Sequence, residues 1–482
     1  MRFSTVCRIL GILLMIFSFT MLPPIAVSMY YHDHQFIAFF DAFLLTLGIG
    51  LAIWLPVRNK KKELRVRDGF IVTALFWLVL SLSGSIPLYL SDQPDLRFVD
   101  AYFESLSGLT TTGATVITGL DTLPKSILWY RQQLQWLGGM GLIVLAVAIL
   151  PMLGIGGMQL YRTETPGPVK DTKLTPRITE TAKALWYIYL GLTMACALAY
   201  WAAGMTLFDA VSHSFSTIAI GGFSTHDASI GYFDNTTIEM IAVFFMFTAG
   251  VNFALHFAAW RRNSWRTYFQ DPEFKFYGSL MLFVASCTIA VLYFNGTYGF
   301  AESFTTGLFE VVSIATTTGF ATADFASWPF VLPFLLFLIA FVGGCAGSTG
   351  GGMKAIRVLL IYKQGLREIK RLIHPNAIIP VKVGKKPVPD RVIEAVWGFF
   401  SVYLFVFVVL LLLLLATGLD QVTAWSAVGA SINNLGPGLG AVSENYGDIP
   451  DTAKWVLCFA MLMGRLEIFT LLILFTPSFW RN

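Results

Sequence analysis

Ten apolar stretches, each long enough to cross a bilayer, limit most strongly what this chain can fold into. The run from Phe399 to Ala416 contains no charged residue, and about 20 apolar residues are enough for a membrane-spanning helix. The ten stretches are 7–30, 36–57, 69–91, 133–155, 183–204, 238–260, 276–295, 328–362, 392–417 and 455–477. Only 13% of the residues are charged and 56% are hydrophobic, whereas a soluble domain has about 25% and 45–50%. The sequence therefore excludes an ordinary soluble protein and predicts an all-α, multi-pass membrane protein.

The basic residues predict how the spans are oriented. Of the 33 Lys and Arg residues, 28 lie at the chain termini or in alternate connections, namely 58–67, 162–183, 261–275 and 354–391. Cytoplasmic loops of membrane proteins carry an excess of Lys and Arg. We therefore expect these connections and both termini on the cytoplasmic side, which requires an even number of spans.

The connections on the opposite side contain a repeated motif that ends in glycine. The first copy reads FESLSGLTTTG and ends at Gly113, and the third reads FEVVSIATTTG and ends at Gly319. The second copy, STIAIGG, ends at Gly222, and the fourth keeps only the glycine, Gly436, and its place between two spans. The gaps between these four glycines are 109, 97 and 117 residues. Repetition at such a period predicts four copies of one structural unit.

The segment before each glycine has the properties of a helix that enters the membrane without crossing it. A dozen residues make a helix of roughly 18–20 Å, whereas the hydrocarbon core is about 30 Å thick. The C-terminal end of such a helix favours a cation, and rings of carbonyls can replace the hydration shell of that cation. Four units around one axis predict a cation filter. Its residues are Thr111, Thr112, Gly113, Ile220, Gly221, Gly222, Thr317, Thr318, Gly319, Asn434, Leu435 and Gly436.

The stretch 328–362 is interrupted by glycine. Six glycines fall within ten residues: Gly343, Gly344, Gly347, Gly350, Gly351 and Gly352. Each costs a helix about 1 kcal/mol relative to Ala. Small residues can form a helix-packing surface, but irregular backbone at membrane depth is also tolerated where it lines a cavity or is buried in protein. We favour the second interpretation, a flexible intramembrane loop.

Arg465 is a cation inside the last apolar stretch. Such a charge is expensive and by default functional. A pore-facing Arg465 would raise the barrier to cations and, together with the glycine loop, would form a gate below the filter. The alternative is a buried ion pair with a carboxylate of another helix, Glu104 or Glu310.

Other charged residues near the motifs permit two interpretations each. Asp100, Glu104, Asp209 and Glu310 either attract cations to an outer vestibule or satisfy the ends of the short helices. A set of basic residues after the glycine break either contacts a regulatory partner or anionic lipid or anchors the span on the positive side. That set is Lys354, Arg357, Lys363, Arg367, Lys370 and Arg371.

The repeats, the glycine break and Arg465 resemble the Trk/Ktr/HKT superfamily of cation transporters, and within it the bacterial potassium-uptake branch. The resemblance covers nearly the whole chain. It implies two accessory spans (1–66) and four fused span–pore-helix–span repeats (67–160, 161–265, 266–375 with the loop 343–352, and 376–482) around one pseudo-fourfold pore. The fourth motif departs from the Thr-rich pattern at Asn434, Leu435 and Pro437, which predicts an asymmetric filter.

The same resemblance implies ligands and partners. It implies K+ bound at the filter residues and a homodimer with one pore per protomer in the lipid bilayer. It also implies control by a cytoplasmic ring of nucleotide-binding RCK subunits (TrkA). Nucleotide would then act only through the partner, and no covalently bound cofactor is expected.

The functional expectation is K+ uptake across a bacterial inner membrane through a gated, channel-like pore that also passes Rb+. The alternative is a K+ symporter coupled to H+ or Na+. Coupled carriers more typically contain inverted repeats, whereas these four copies share one orientation. The sequence has no HExxH and no P-loop, and we expect neither an enzyme nor a nucleic-acid-binding protein.

Overall fold

The computed structural model describes residues 3–59, 66–141 and 178–481, and these are mostly helical. The helices are α1 (Phe3–Ser18), α2 (Leu22–Tyr31), α3 (Phe36–Trp54), α4 (Val66–Leu90), α5 (Phe98–Leu109), α6 (Lys125–Trp136), α7 (Ile178–Ala202), α8 (Leu207–Ala219), α9 (Thr236–Ala249), α10 (Phe253–Arg262), α11 (Arg266–Gln270), α12 (Pro272–Phe294), α13 (Phe300–Ala315), α14 (Leu332–Ala340), α15 (Ala355–Ile373), α16 (Asp390–Leu415), α17 (Gln421–Asn433), α18 (Asp451–Arg465), α19 (Phe469–Leu472) and α20 (Pro477–Trp480). A short antiparallel hairpin, β1 (Lys382–Val383) and β2 (Lys386–Pro387), pairs Lys382 with Pro387 and Val383 with Lys386.

Membrane-spanning length and apolar composition recur along the described residues. Six helices meet both criteria: Phe3–Tyr31, Phe36–Val57, Arg67–Leu90, Lys183–Ala202, Pro272–Phe294 and Asp390–Leu415. Two bent pairs, α9 with α10 and α18 with the helical segment Phe469–Phe475, raise the number to as many as eight. The predicted span 133–155 lies largely outside the described residues, and 328–362 is divided into α14 and α15. The prediction of a helical, multi-pass membrane protein is confirmed.

Both bent pairs are sharp breaks that the apolar pattern did not indicate. The angle is 93° between α9 and α10 and 108° between α18 and the segment after it. At the first break, the N–H of Cys345 donates to Gly250 O at 2.8 Å and the N–H of Phe253 donates to Gly347 O at 3.0 Å. Backbone groups freed at membrane depth need such partners. The glycine-rich segment of the third repeat thus stabilises the bend in the second.

Four helices whose C-terminal halves are buried are too short to cross a bilayer. They are α5, α8, α13 and α17, which contain 12 to 16 residues, and we call them pore helices 1 to 4. Thr206 and Asp420 begin pore helices 2 and 4 by accepting a bond from the N–H three residues later. These side chains satisfy N–H groups that have no partner within the helix. In pore helix 1 every residue from Asp100 to Leu109 is buried.

Two apolar cores support the pore helices. One contains residues of α1, α3, α4, pore helices 1 and 4, α16 and α18. The other contains residues of α7, pore helices 2 and 3, α9, α12 and α14. Trp136, Phe341 and Trp425 pack against both. The N-terminal helices pack against α4 and α6 of the first repeat, and the second and third repeats share the second core.

Candidate functional site

The four predicted filter segments leave their pore helices with the same hydrogen bond. The N–H of the residue before each motif glycine donates to the carbonyl five residues earlier. The bonds are Thr112 to Ser107 (2.9 Å), Gly221 to Ser216, Thr318 to Ser313 and Leu435 to Ala430 (2.8 Å each). The fourth segment, which shares almost no side chain with the others, has the same backbone geometry.

The backbone alternates in the same way in all four segments. The motif glycines have φ of +80° at Gly113, +82° at Gly222 and Gly319, and +95° at Gly436. Two residues earlier, φ is again positive at Thr111 (55°), Ile220 (55°), Thr317 (67°) and Asn434 (54°). The residue between them lies outside the left-handed region. Such alternation turns successive carbonyls to one side of the chain, whereas a regular strand points them alternately to opposite sides.

The four segments contact one another in a closed ring. A Cβ atom added at Gly113 would meet Gly221 O, one at Gly222 would meet Thr318 O, and one at Gly319 would meet Leu435 O. A Cβ atom added at Gly436 would lie 2.7 Å from Thr112 O, so the fourth segment contacts the first and the ring is closed. All four contacts are closer than 3.0 Å, which real Cβ atoms essentially never show. Only glycine fits at these positions, and each segment lies against the next in chain order.

A cavity opens on the outer side of this ring. Its volume is about 630 Å³, and all four motif glycines line it. Residues of the outer connections, including Ser224, Thr322 and Asn445, form its upper wall. A hydrated cation can reach the ring through this cavity.

Side chains around the ring break its fourfold symmetry. Gln135 Nε2 donates to Gly221 O at 2.6 Å, and Tyr446 Oη donates to Gly436 O at 2.6 Å. Asn434 Nδ2 donates to Thr112 Oγ1 at 2.9 Å and links the fourth segment to the first. The predicted asymmetry of the fourth motif thus has a structural counterpart, in which an amide replaces a threonine hydroxyl.

The glycine-rich segment lies against the inner ends of three pore helices. Thr349 Oγ1 donates to Ile218 O of pore helix 2 at 2.9 Å. The N–H of Gly351 donates to Thr317 Oγ1, after pore helix 3, at 2.7 Å. The N–H of Gly352 donates to Asn433 O of pore helix 4 at 3.0 Å. Residues 341–354 contain no helix, in agreement with the predicted irregular loop, and we call this segment the glycine loop.

Arg465 contacts the inner end of the remaining pore helix. It is the last residue of α18, and its Nη1 donates to Thr111 Oγ1 at 3.2 Å. Its Nη2 donates to the carbonyls of Gly138 and Gly139, the latter at 2.8 Å. The glycine loop and Arg465 together cover the inner ends of all four pore helices.

Of the acidic residues predicted for the vestibule, Glu104 and Glu310 bind backbone N–H groups, whereas Asp100 and Asp209 bind side chains. Glu104 accepts from the N–H of Val116 at 2.9 Å, and Glu310 accepts from the N–H of Thr322 at 2.7 Å. Each therefore fastens the chain that leaves its own filter segment. Lys454 Nζ donates to Asp100 Oδ1 at 2.6 Å. Thr225 Oγ1 donates to Asp209 Oδ1 at 2.8 Å.

Three residues of the basic set after the glycine break are not surface charges. Lys354 is 7% exposed, Arg357 is 6% exposed and Arg367 is 8% exposed. Lys354 Nζ donates to Gly350 O within the loop, and Arg357 Nη2 lies 2.5 Å from Glu467 Oε2. These side chains are not free to contact a regulatory partner or lipid, so the first of the two predicted roles does not apply to them, because α15 begins inside the protein.

Sequence reasoning missed a histidine at the outer side of the ring. His226 stacks on Tyr232, with ring centroids 3.5 Å apart. Its Nδ1 contacts Asp121, and its Nε2 lies 3.5 Å from Asp209 Oδ1. Burial disfavours its charge, but the Asp209 and Asp121 carboxylates outweigh that effect and raise the pKa of His226 above its ordinary value. No spacing in the sequence brings Asp121 and His226 together.

These observations define a multi-pass helical membrane protein in which four pore helices meet at a closed ring of backbone segments. The TrkH family model, described as a cation transport protein, matches residues 35–482. The chain therefore belongs to the TrkH family of cation transport proteins. Its expected place in the Trk/Ktr/HKT superfamily, as a transporter and not an enzyme, is confirmed.

Individual relatives match over the full length. The Trk system potassium uptake protein TrkH of Halomonas elongata is 62% identical over 100% of both chains. The protein of the same name from Escherichia coli K12 is 55% identical, also over 100% of both. The crystal structure of the potassium transporter TrkH from Vibrio parahaemolyticus superposes with a TM-score of 0.91 and 55% identity, and each chain is fully covered.

Proposed function

We propose that this chain takes up K+ across the bacterial inner membrane through a gated, channel-like pore that also passes Rb+. The observation that carries the proposal is the closed ring of Gly113, Gly222, Gly319 and Gly436, in which each segment contacts the next. A closed ring of carbonyl-bearing segments is the arrangement that can replace the water around a cation. The potassium-uptake names of the relatives support K+ as that cation.

Within this proposal K+ binds between the carbonyls of the four filter segments. The pore helices end at the ring, so their partial negative charge is directed at the ion. The oxygens are neutral, which lets an ion enter and leave without a tight ion pair. Bonds from Gln135 and Tyr446 hold two ring carbonyls in place. The proposed binding residues are the twelve predicted from the sequence, 111–113, 220–222, 317–319 and 434–436.

The glycine loop and Arg465 form the proposed gate. They contact the inner ends of the four pore helices, where an ion leaving the ring must pass. A K+ ion about 5 Å from a guanidinium is repelled by about 3 kcal/mol at an effective dielectric constant of 20. Steric closure by the loop adds to this barrier. The arrangement described here is therefore the closed one.

The partners we propose are a second copy of the chain and a cytoplasmic nucleotide-binding RCK subunit of the TrkA kind. The words "Trk system" in the relatives' names support a multicomponent assembly. The cytoplasmic part of α15 directly follows the proposed gate and exposes Tyr362, Ile369 and Ile373. A partner that moved α15 would act on the glycine loop. The proposal puts both termini on the cytoplasmic side, and the distribution of basic residues supports this.

Flux in liposomes tests this proposal. Purified protein alone is reconstituted, and K+, Rb+, Na+ and Li+ fluxes are compared without an imposed H+ or Na+ gradient. Passive flux that favours K+ and Rb+ is the expected result. Flux that requires a driving H+ or Na+ gradient would instead establish the coupled symporter, and the proposed gate would fail with the channel.

A further inference from the structure

The two parts of the proposed gate belong to different repeats, yet one ion pair joins them. Arg357 follows the end of the glycine loop by three residues, and Glu467 follows Arg465 by two. Arg357 Nη2 and Glu467 Oε2 are 2.5 Å apart, and the two side chains are 7% and 21% exposed. A charge pair shielded from water to this degree is strongly destabilised when one partner is removed.

The arginine is fixed to the loop side of this pair. Arg357 Nη1 donates to Met353 O, in the last residues of the glycine loop, at 3.1 Å. Its guanidinium also lies 4.2 Å from the centre of the Phe399 ring on α16. Because Arg357 is bonded to Met353, it should move together with the C-terminal end of the glycine loop.

The glutamate lies in a strained break of the last span. Glu467 has φ of +51° and Ile468 has φ of +57°, and the chain bends by 108° at this point. A β-branched residue at positive φ is a genuine outlier. Such conformations persist only where the surroundings impose them. The bond from Arg357 to Glu467 is one such constraint. Glu467 is two residues after Arg465, whose guanidinium contacts Thr111.

The electrostatic surroundings place both gate parts in one cluster. Lys354 interacts with the charges of Glu467, Arg465, Arg357 and Glu273. Glu273, on α12, accepts from the N–H groups of Ala346 at 2.7 Å and Ile356 at 3.1 Å, which lie before and after the last four glycines of the loop. The loop is thus held by one carboxylate from α12 and joined through Arg357 to a second carboxylate from the break.

We propose that Arg357 and Glu467 are positioning residues that couple the two halves of the gate. While the pair is intact, it keeps the glycine loop against the pore helices and the break in its bent form, with Arg465 against Thr111. Displacement of α15 pulls Glu467, relaxes the break and withdraws Arg465. The proposal rests on the gate described above and adds that its two parts open together.

A double-mutant cycle measures the coupling. Arg357→Gln, Glu467→Gln, the double variant and the exchange of Arg357→Glu with Glu467→Arg are compared by passive Rb+ flux in liposomes. Each single variant is expected to raise flux on the order of tenfold, which is within the range of coupling between residues of one ion-pair network. The double variant should add little to either single one, and the exchange should return flux toward the wild-type value. Arg371→Gln, on the exposed part of α15, is the control. Additive single effects, or an exchange that restores nothing, would overturn the coupling.

A native thiol gives a second readout. Cys345 lies in the glycine loop and is 1% exposed, whereas Cys287 on α12 is less buried and serves as an internal reference. Maleimide labelling is followed for each cysteine by peptide mass spectrometry. Glu467→Gln should increase Cys345 labelling several-fold although position 467 is in another repeat, and Arg465→Ala should not, because it leaves the pair intact. Unchanged Cys345 labelling in Glu467→Gln would refute the proposal.

The two experiments separate this inference from the function on which it rests. If no variant conducts passively, the channel proposal fails, and Cys345 labelling still reports whether position 467 controls the loop. If Arg465→Ala conducts but the cycle is additive and labelling is unchanged, the channel stands and the coupling is wrong.

Discussion

Arg131 Nε lies 2.7 Å from Glu104 Oε1, and each side chain is only 1% exposed. Arg131 also donates to Ser224 O at 3.1 Å and lies 4.3 Å from the centre of the Phe223 ring, in the chain that leaves the second filter segment. Glu104 holds the chain that leaves the first segment. The pair therefore joins two filter segments from behind the ring. In the third repeat Glu310 stands where Glu104 does, but Phe337 occupies the position of Arg131.

Removing Arg131 should leave a buried carboxylate without its cation. Arg131→Gln is expected to lower the free energy of unfolding by about 3–5 kcal/mol and to reduce K+ uptake. The double variant Glu104→Gln with Arg131→Gln should be less damaging than Arg131→Gln alone, because it leaves no uncompensated charge. Thermal unfolding of the purified protein in detergent measures this, with the exposed Arg266→Gln as control. Equal loss in the single and the double variant would contradict the ion-pair explanation.

Arg465→Ala should increase cation flux. The substitution removes the charge next to Thr111 and leaves the ring residues unchanged, and the repulsion it relieves is about 3 kcal/mol at 5 Å and a dielectric constant of 20. We expect at least a tenfold rise in passive Rb+ flux, measured at matched protein content. Arg266→Ala, at an exposed position, should behave like the wild type. Unchanged flux in Arg465→Ala would remove this residue from the gate.

The repeated features of the fold could be predicted from the sequence because repetition and composition are local properties. The motifs at Gly113 and Gly319 are identical at seven of eleven positions, and six glycines in ten residues cannot continue a helix. Gly436 was placed only by its position between spans, yet its backbone follows the same course as the others. The four copies share their backbone geometry, and the motif glycine is the one residue in the sequence that indicates it.

Contacts between segments that are distant in the chain could not be predicted from the sequence. Arg131 was one of the few cations of the outer connections, and nothing near it in sequence indicates a bond to Glu104. The break after Arg465 contains neither Pro nor Gly, since Leu466, Glu467 and Ile468 form it. Its Glu467 accepts a bond from Arg357, more than a hundred residues away in the chain. The burial of Lys354 was missed for the same reason, because a Lys beside a basic segment usually lies in solvent.

Gly319→Ala should impair uptake and selectivity. Its φ of +82° is unfavourable for alanine, and the new methyl group would meet Leu435 O and the ring of Pro437. Strain of about 1–3 kcal/mol at the ring predicts K+ uptake reduced on the order of tenfold or more, with a higher ratio of Na+ to K+ flux. Gly191→Ala is the matched control, because a Cβ atom there has no neighbour within 4 Å. Normal uptake and selectivity in a fully expressed Gly319→Ala protein would argue against this ring as the filter.

His226 should make stability depend on pH at the outer side of the ring. Burial opposes its charge, but Asp209 and Asp121 raise the pKa of His226 above 6.5. The side chains of His213 and Tyr232 stack on the His226 imidazole. A raised pKa in the folded state means that the stabilisation is fully present below about 6.5 and is lost as pH rises through the folded-state value. Each unit by which the pKa is raised corresponds to about 1.4 kcal/mol. The melting temperature should therefore fall as pH increases from 6 through neutrality.

His226→Gln should flatten that dependence, because glutamine keeps a polar side chain but does not titrate. Asp121→Asn should reduce the pH dependence, since one of the two carboxylates that favour the charged His226 imidazole is then neutral. His374→Gln, at an exposed position after α15, should leave the slope as in the wild type. The measurement is the melting temperature of the purified protein in detergent at closely spaced pH values. A wild-type slope that persists in His226→Gln would assign the titration to another group.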